Sequence, residues 1–89
     1  MPHWTQVVSN SCMDKETEKF TIETSLEAVE KLNIEKDVAR FVKGRLDNKY
    51  GPSWHVVVGK NFGSCVSHDG FNFIHFRLNQ VSVMVYKSV

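Results

Sequence analysis

Phe71-Asn72-Phe73-Ile74-His75-Phe76-Arg77-Leu78-Asn79-Gln80-Val81-Ser82-Val83-Met84-Val85-Tyr86 is the stretch whose periodicity decides the fold. Read at a period of two, it is a pair of strands joined by Asn79-Gln80, and Asn tolerates the left-handed backbone that so short a connection needs. Ile74, Phe76 and Leu78 point one way; Phe71, Phe73, His75 and Arg77 point the other. Val81, Val83 and Val85 likewise oppose Ser82, Met84 and Tyr86. One face is therefore wholly apolar, and the other is substantially so.

Moving towards the N-terminus, Asp69-Gly70 is a strong hairpin signal, and Phe62 to Ser67 reads as another strand. Gly59-Lys60-Asn61 reads as a tight turn after a strand over Trp54 to Val58, where Trp54, Val56 and Val58 oppose His55 and Val57. Gly51-Pro52 marks a change of period from 2 to 3.6. Before it, Val38, Phe41, Val42, Leu46 and Tyr50 form a helical stripe, with Asn33 as expected cap and Glu35 and Asp37 in the first turn. Gly44 sits inside that helix at an expected cost of about 0.5–1 kcal/mol against Ala. A first helix starts at the cap Asp14, carries Glu16 and Glu18 in its first turn, and shows Ile22, Leu26, Val29 and Leu32 beside Ala28. Thr5 to Ser11, with Val7 and Val8, has strand character. The expected fold is α+β, in the order β-α-α-β-β-β-β: one domain over residues 1–89, an antiparallel sheet with a helix pair on one face.

A chain of 89 residues leaves no room for a second domain. Eleven Lys and Arg nearly balance ten Asp and Glu, for a formal charge of +1. Nucleic acid or a membrane surface held by electrostatics would call for a far more basic chain, so neither is an expected partner. No apolar run approaches the roughly 18–20 residues that span a bilayer, and Met1-Pro2-His3-Trp4 is neither a charged leader nor a signal segment. Cys12 and Cys65 read as reduced thiols of an intracellular protein.

Two consecutive helices cover one face of the sheet. Val57, Phe73, Met84 and Tyr86 on the other face then need a lid, where a one-sided antiparallel sheet would show polar residues. At about 25 cal/mol per Å², a few hundred Å² of such surface is worth several kcal/mol. For so small a chain that rivals the whole stability, and a second copy about a two-fold axis is the simplest cover.

Candidate chemistry is thin. Cys65-x-x-His68 has a tolerable metal spacing, but no second pair completes a tetrahedral site, and on a strand the two residues face opposite ways. The same facing weakens Cys65 and His68 as a nucleophile pair of a small thiol- or metal-dependent enzyme. Gly59 to Ser64 bears glycine and a lysine but joins two strands, whereas a phosphate loop leads into a helix N-terminus. No catalytic residue and no cofactor is expected. His55, on the second face, is either a partly buried histidine with its own partner or one facing its symmetry mate, where two protonated imidazoles would repel.

Asn33-Ile34-Glu35-Lys36-Asp37-Val38-Ala39, Lys49-Tyr50-Gly51-Pro52-Ser53-Trp54-His55, Val58-Gly59-Lys60-Asn61-Phe62-Gly63-Ser64, Gln80-Val81 and Lys87-Ser88 together closely resemble the eight-kilodalton dynein light chain family, over about Gln6 to Ser88. The resemblance implies a strand-swapped homodimer in which the strand beginning near Phe62 crosses to the partner's sheet. His55, Val57, Phe62, Ser64, Val66 and Ser88 would lie at the seam, where phosphorylation of Ser88 would oppose association. It implies a non-enzymatic hub and motor light chain. Two symmetric grooves would each take a short extended segment as an added strand, and so promote partner dimerisation.

By the same resemblance the groove edge is Asn61, Phe62, Gly63, Ser64, Cys65, Val66, Ser67 and His68; Phe73, His75, Arg77 and Met84 form its floor and wall. Ile34, Glu35 and Lys36 of the facing subunit would meet the glutamine typical of targets. The implied partners are the dynein intermediate chain and other proteins with short linear motifs, in the cytoplasm and cytoskeleton, in a cytoplasmic or axonemal dynein. The family commonly has aromatics where this chain has Cys65, His75 and Arg77, and threonine at Ser67. Those departures point to shifted targets, with Arg77 favouring acidic or carbonyl-rich ones. A structural subunit locked in one assembly is the remaining alternative.

Overall fold

The structure, a computed structural model, describes residues 5–60 and 73–87. Its helices begin as local chemistry dictates. The Asp14 side chain accepts the Thr17 N–H at 2.9 Å and opens helix α1, Lys15–Lys31. Leu32 N–H closes it on the Ala28 carbonyl. Helix α2, Glu35–Tyr50, starts differently from expectation: Ile34, not Asn33, is its cap, and no side chain caps it. The Ile34 carbonyl takes the N–H groups of Asp37 and Val38, while Glu35 and Asp37 place negative charge in the first turn, where the helix dipole favours it. Gly51, at φ 83°, ends the helix in a region that favours glycine.

The strands are β1 (Gln6–Ser11), β2 (Trp54–Lys60), β3 (Phe73–Leu78) and β4 (Val81–Lys87), all antiparallel in the order β1-β3-β4-β2. β3 and β4 are the hairpin read from sequence. Leu78 pairs with Val81, and Asn79 supplies the left-handed residue at φ 57°. Gly59 and Lys60 form no turn: they extend β2 and pair with Ser82 and Val81. Their place in the strand follows from the length of β4, whose ladder continues opposite them. The expected strand over Phe62 to Ser67, and residues Phe71 and Asn72, lie outside the described residues.

Both helices lie on the face carrying Trp54, Ile74, Phe76, Leu78, Val83 and Val85, all buried. From α2 that core receives Val38, Val42 and Leu46, with Phe41 and Tyr50 at its margin, as the stripe predicts. The α1 contribution departs from expectation. Its buried residues are Thr17, Thr21, Thr24, Ser25 and Ala28, whereas Ile22, Leu26, Val29 and Leu32 are only half-buried. Burial of the hydroxyls is possible because they satisfy themselves. Thr21 Oγ1 donates to the Thr17 carbonyl and Ser25 Oγ to the Thr21 carbonyl, each at 2.8 Å.

The second face corrects the simplest reading of its apolar residues. Phe73 and Met84 are already buried within one chain, and Tyr86 is half-buried. Val57 stays 41% exposed. A twin therefore has a smaller apolar area to cover than the alternation alone suggests, centred on β2.

Candidate partner-binding site

The two edges of the described sheet are unlike. β1 pairs with β3 in a register that shifts between Val8 and Asn10, and such an irregularity blunts an edge. β2 pairs with β4 without interruption from Trp54 to Lys60, so its outer backbone groups form a regular row that an added strand could continue. The start of that row is fixed from α2: Asp47 Oδ1 accepts the Trp54 N–H at 2.9 Å, and Asp47 Oδ2 pairs with Lys43 Nζ at 2.6 Å. Those contacts, the Lys43 hydrogen bond foremost and the Trp54 N–H next, hold the Asp47 carboxyl below the usual carboxylate range.

At the other end of β2 a cavity of about 650 Å³ opens between the sheet and the helix corner. Val58 and Lys60 of β2 and Val81 of β4 form its floor; Val29, Leu32, Asn33, Ile34, Glu35 and Val38 close it from the helices. Ile34 is 60% exposed there, unusual for so large an aliphatic side chain. The walls are apolar, with Glu35 and Lys60 of opposite charge among the lining, a composition suited to an extended segment with both side-chain and backbone contacts. Lys60, Val58 and Val81 are members of this site that the sequence reading missed. The signal was present: Trp54, Val56, Val58 and Lys60 keep one alternation.

Of the expected floor and wall, Phe73, His75 and Arg77 stand at alternate positions of β3, with Met84 beside His75 on β4. Phe73 and Met84 are buried, His75 is half-buried, and Arg77 is exposed. His55 stacks on Tyr86, ring centroids 5.0 Å apart and planes inclined by 22°. His55, Val57, His75 and Met84 thus share the face away from the helices, whereas Ile34 and Glu35 line the helix-side cavity; Lys36 is exposed in the same helical turn. Within one chain these two sets do not meet. Asn61 to His68, including Cys65, and Ser88 lie outside the described residues.

Charge is segregated. The strands β1 to β4 contain no Asp or Glu, and apart from Asp69 the ten acidic residues sit on α1, on α2 or at the Asp14 cap. His55, Lys60, His75, Arg77 and Lys87 are the ionisable side chains of the four described strands apart from Tyr86. Among the described residues no three His, Cys, Asp or Glu side chains gather as a metal site, and no helix is long and apolar enough to cross a membrane.

Comparison with known proteins bears on the whole chain. The family described as Dynein light chain type 1 matches residues 5–88. Among solved structures, the dynein light chain-like domain of the Fasciola hepatica calcium binding protein FhCaBP2 superposes with a TM-score of 0.83 at 23% identity, covering 97% of this chain and 93% of that one. The DLC-like domain of CsTAL3 gives a TM-score of 0.79 at 13% identity, covering 93% and 92%. At such identities these likenesses establish a shared fold, an α+β sheet with two helices, and the family match extends over nearly every residue. The chain belongs to the dynein light chain family.

Proposed function

We propose that this chain is a non-enzymatic dimeric hub and dynein motor light chain that binds short extended segments of partner proteins by strand addition, in two symmetric grooves, and promotes their dimerisation. Members of its family typically dimerise and bind partner proteins. The observation that carries the reading is the regular outer row of β2 beside the cavity lined by Ile34 and Glu35. A second copy's strand can continue that row, and the partner segment adds beside that strand, where backbone bonds supply affinity and pockets for alternate side chains supply selectivity.

The separation of the two site halves favours an assembly of two copies. Ile34, Glu35 and Lys36 of one protomer and Phe73, His75, Arg77 and Met84 of another would build one groove, with the stretch from Asn61 to His68 as its strand edge. His55, Val57, Phe62, Ser64, Val66 and Ser88 would form the seam. The partners in this reading are the dynein intermediate chain and other proteins carrying short linear motifs, in the cytoplasm and on the cytoskeleton. A labelled Thr-Gln-Thr peptide titrated into the purified full chain tests it. Saturable binding of one peptide per protomer is expected; no saturation up to about millimolar peptide contradicts the groove.

A further inference from the structure

Arg77 is an exposed cation near the β3–β4 turn, on the sheet face away from the helices. Its cross-strand neighbours are Val7 on β1, itself 40% exposed, and Ser82 on β4. Half-buried His75 stands two residues along the same strand face. Among the described residues the Arg77 guanidinium has no ion pair or hydrogen bond. No carboxylate is in reach on the sheet, because the described strands hold no acid. Guanidinium is the side chain best shaped to grip a carboxylate through two parallel N–H donors.

We infer that the segment received on this face is acidic: an Asp or Glu side chain of an extended partner peptide pairs with Arg77. The inference rests on the groove reading above and adds the charge class of the ligand. A polyanion such as nucleic acid fits less well. It would need a run of cations, and here one guanidinium is flanked by Val7 and Ser82 on a chain of net charge +1.

Fluorescence anisotropy on the full chain tests it, with Thr-Gln-Thr peptides carrying Glu or Gln at each flanking position in turn. At low salt one position should favour Glu over Gln by roughly three- to tenfold, a margin that shrinks with added salt. Arg77→Gln should bring that ratio to one, and Arg77→Lys should keep part of it. Equal affinities for every Glu and Gln pair, or a preference that survives in Arg77→Gln, would overturn the inference and leave the groove standing. Failure of every peptide to saturate would overturn the groove reading and the inference with it. A single-stranded oligonucleotide that displaces bound peptide as well as the Glu peptide does would assign the face to polyanions and overturn it also.

Discussion

The Asp47 carboxylate and the Trp54 backbone N–H, 2.9 Å apart, tie the last turns of α2 to the first residue of β2. The bond closes a short span across Gly51-Pro52 and sets where the edge strand begins. It also draws the Asp47 carboxyl below its ordinary value of 3.8 through its bonds to Lys43 and Trp54. A carboxyl depressed in the folded state stabilises above its unfolded pKa and loses that contribution as pH falls through the folded value. Asp47→Ala should therefore lower the urea midpoint at neutral pH and flatten its decline below about pH 4. Asp47→Asn, which keeps an oxygen for the Trp54 N–H but no charge for Lys43, should fall between Ala and the parent. Urea titrations from neutral pH to below pH 4 check both.

The two kinds of buried side chain in the helix–sheet layer should respond to substitution by very different amounts. Ile74 is fully buried and apolar, so Ile74→Ala is expected to cost about 2–5 kcal/mol, transfer and cavity terms together. Thr21 is equally buried, but its hydroxyl bonds its own helix. Thr21→Val keeps the shape and removes the group that needed satisfying, so stability should stay within about 1 kcal/mol. Denaturant midpoints of the two variants make the comparison.

That contrast also shows what was legible in the sequence and why the rest was not. The period-two alternation of Ile74, Phe76, Leu78 and Val81, Val83, Val85, the Val38 to Tyr50 stripe and the Asp14 cap all act through local geometry, and each stands in the structure. The buried face of α1 escaped notice because hydropathy counts Thr and Ser as polar, whereas Thr21 and Ser25 bury their hydroxyls by bonding backward along the helix. Gly59-Lys60 looked like a turn because glycine is a common breaker, but pairing with Ser82 and Val81 outweighs that preference. Ile34 and Glu35 entered the candidate site through family resemblance. Their position beside Val58 and Lys60 depends on how the helix corner meets the sheet, which no local pattern encodes.

Ile34 separates binding from folding. Its side chain is mostly exposed at the cavity and makes no capping bond, so Ile34→Ala should shift stability by less than about 0.5 kcal/mol. The same change removes apolar contact from the proposed groove and should weaken peptide binding roughly three- to tenfold. Melting curves and a peptide titration on one preparation check both halves.

Val57 tests the seam. It stands exposed on β2 beside Met84, on the face proposed to meet a second copy. Val57→Asp places a charge there that the separate chain can hydrate and a closed interface cannot. The variant should keep its circular dichroism spectrum and sediment as a single chain; a variant still sedimenting as two chains would show that Val57 lies outside the seam.

The central claim is that a second copy covers the outer edge of β2 and the sheet face around Val57. Sedimentation equilibrium of the purified full chain, in dilute neutral buffer at micromolar concentration, measures this directly. The mass should be twice the 10.2 kDa of one chain. A well-folded species that stays at 10.2 kDa across that concentration range would contradict it.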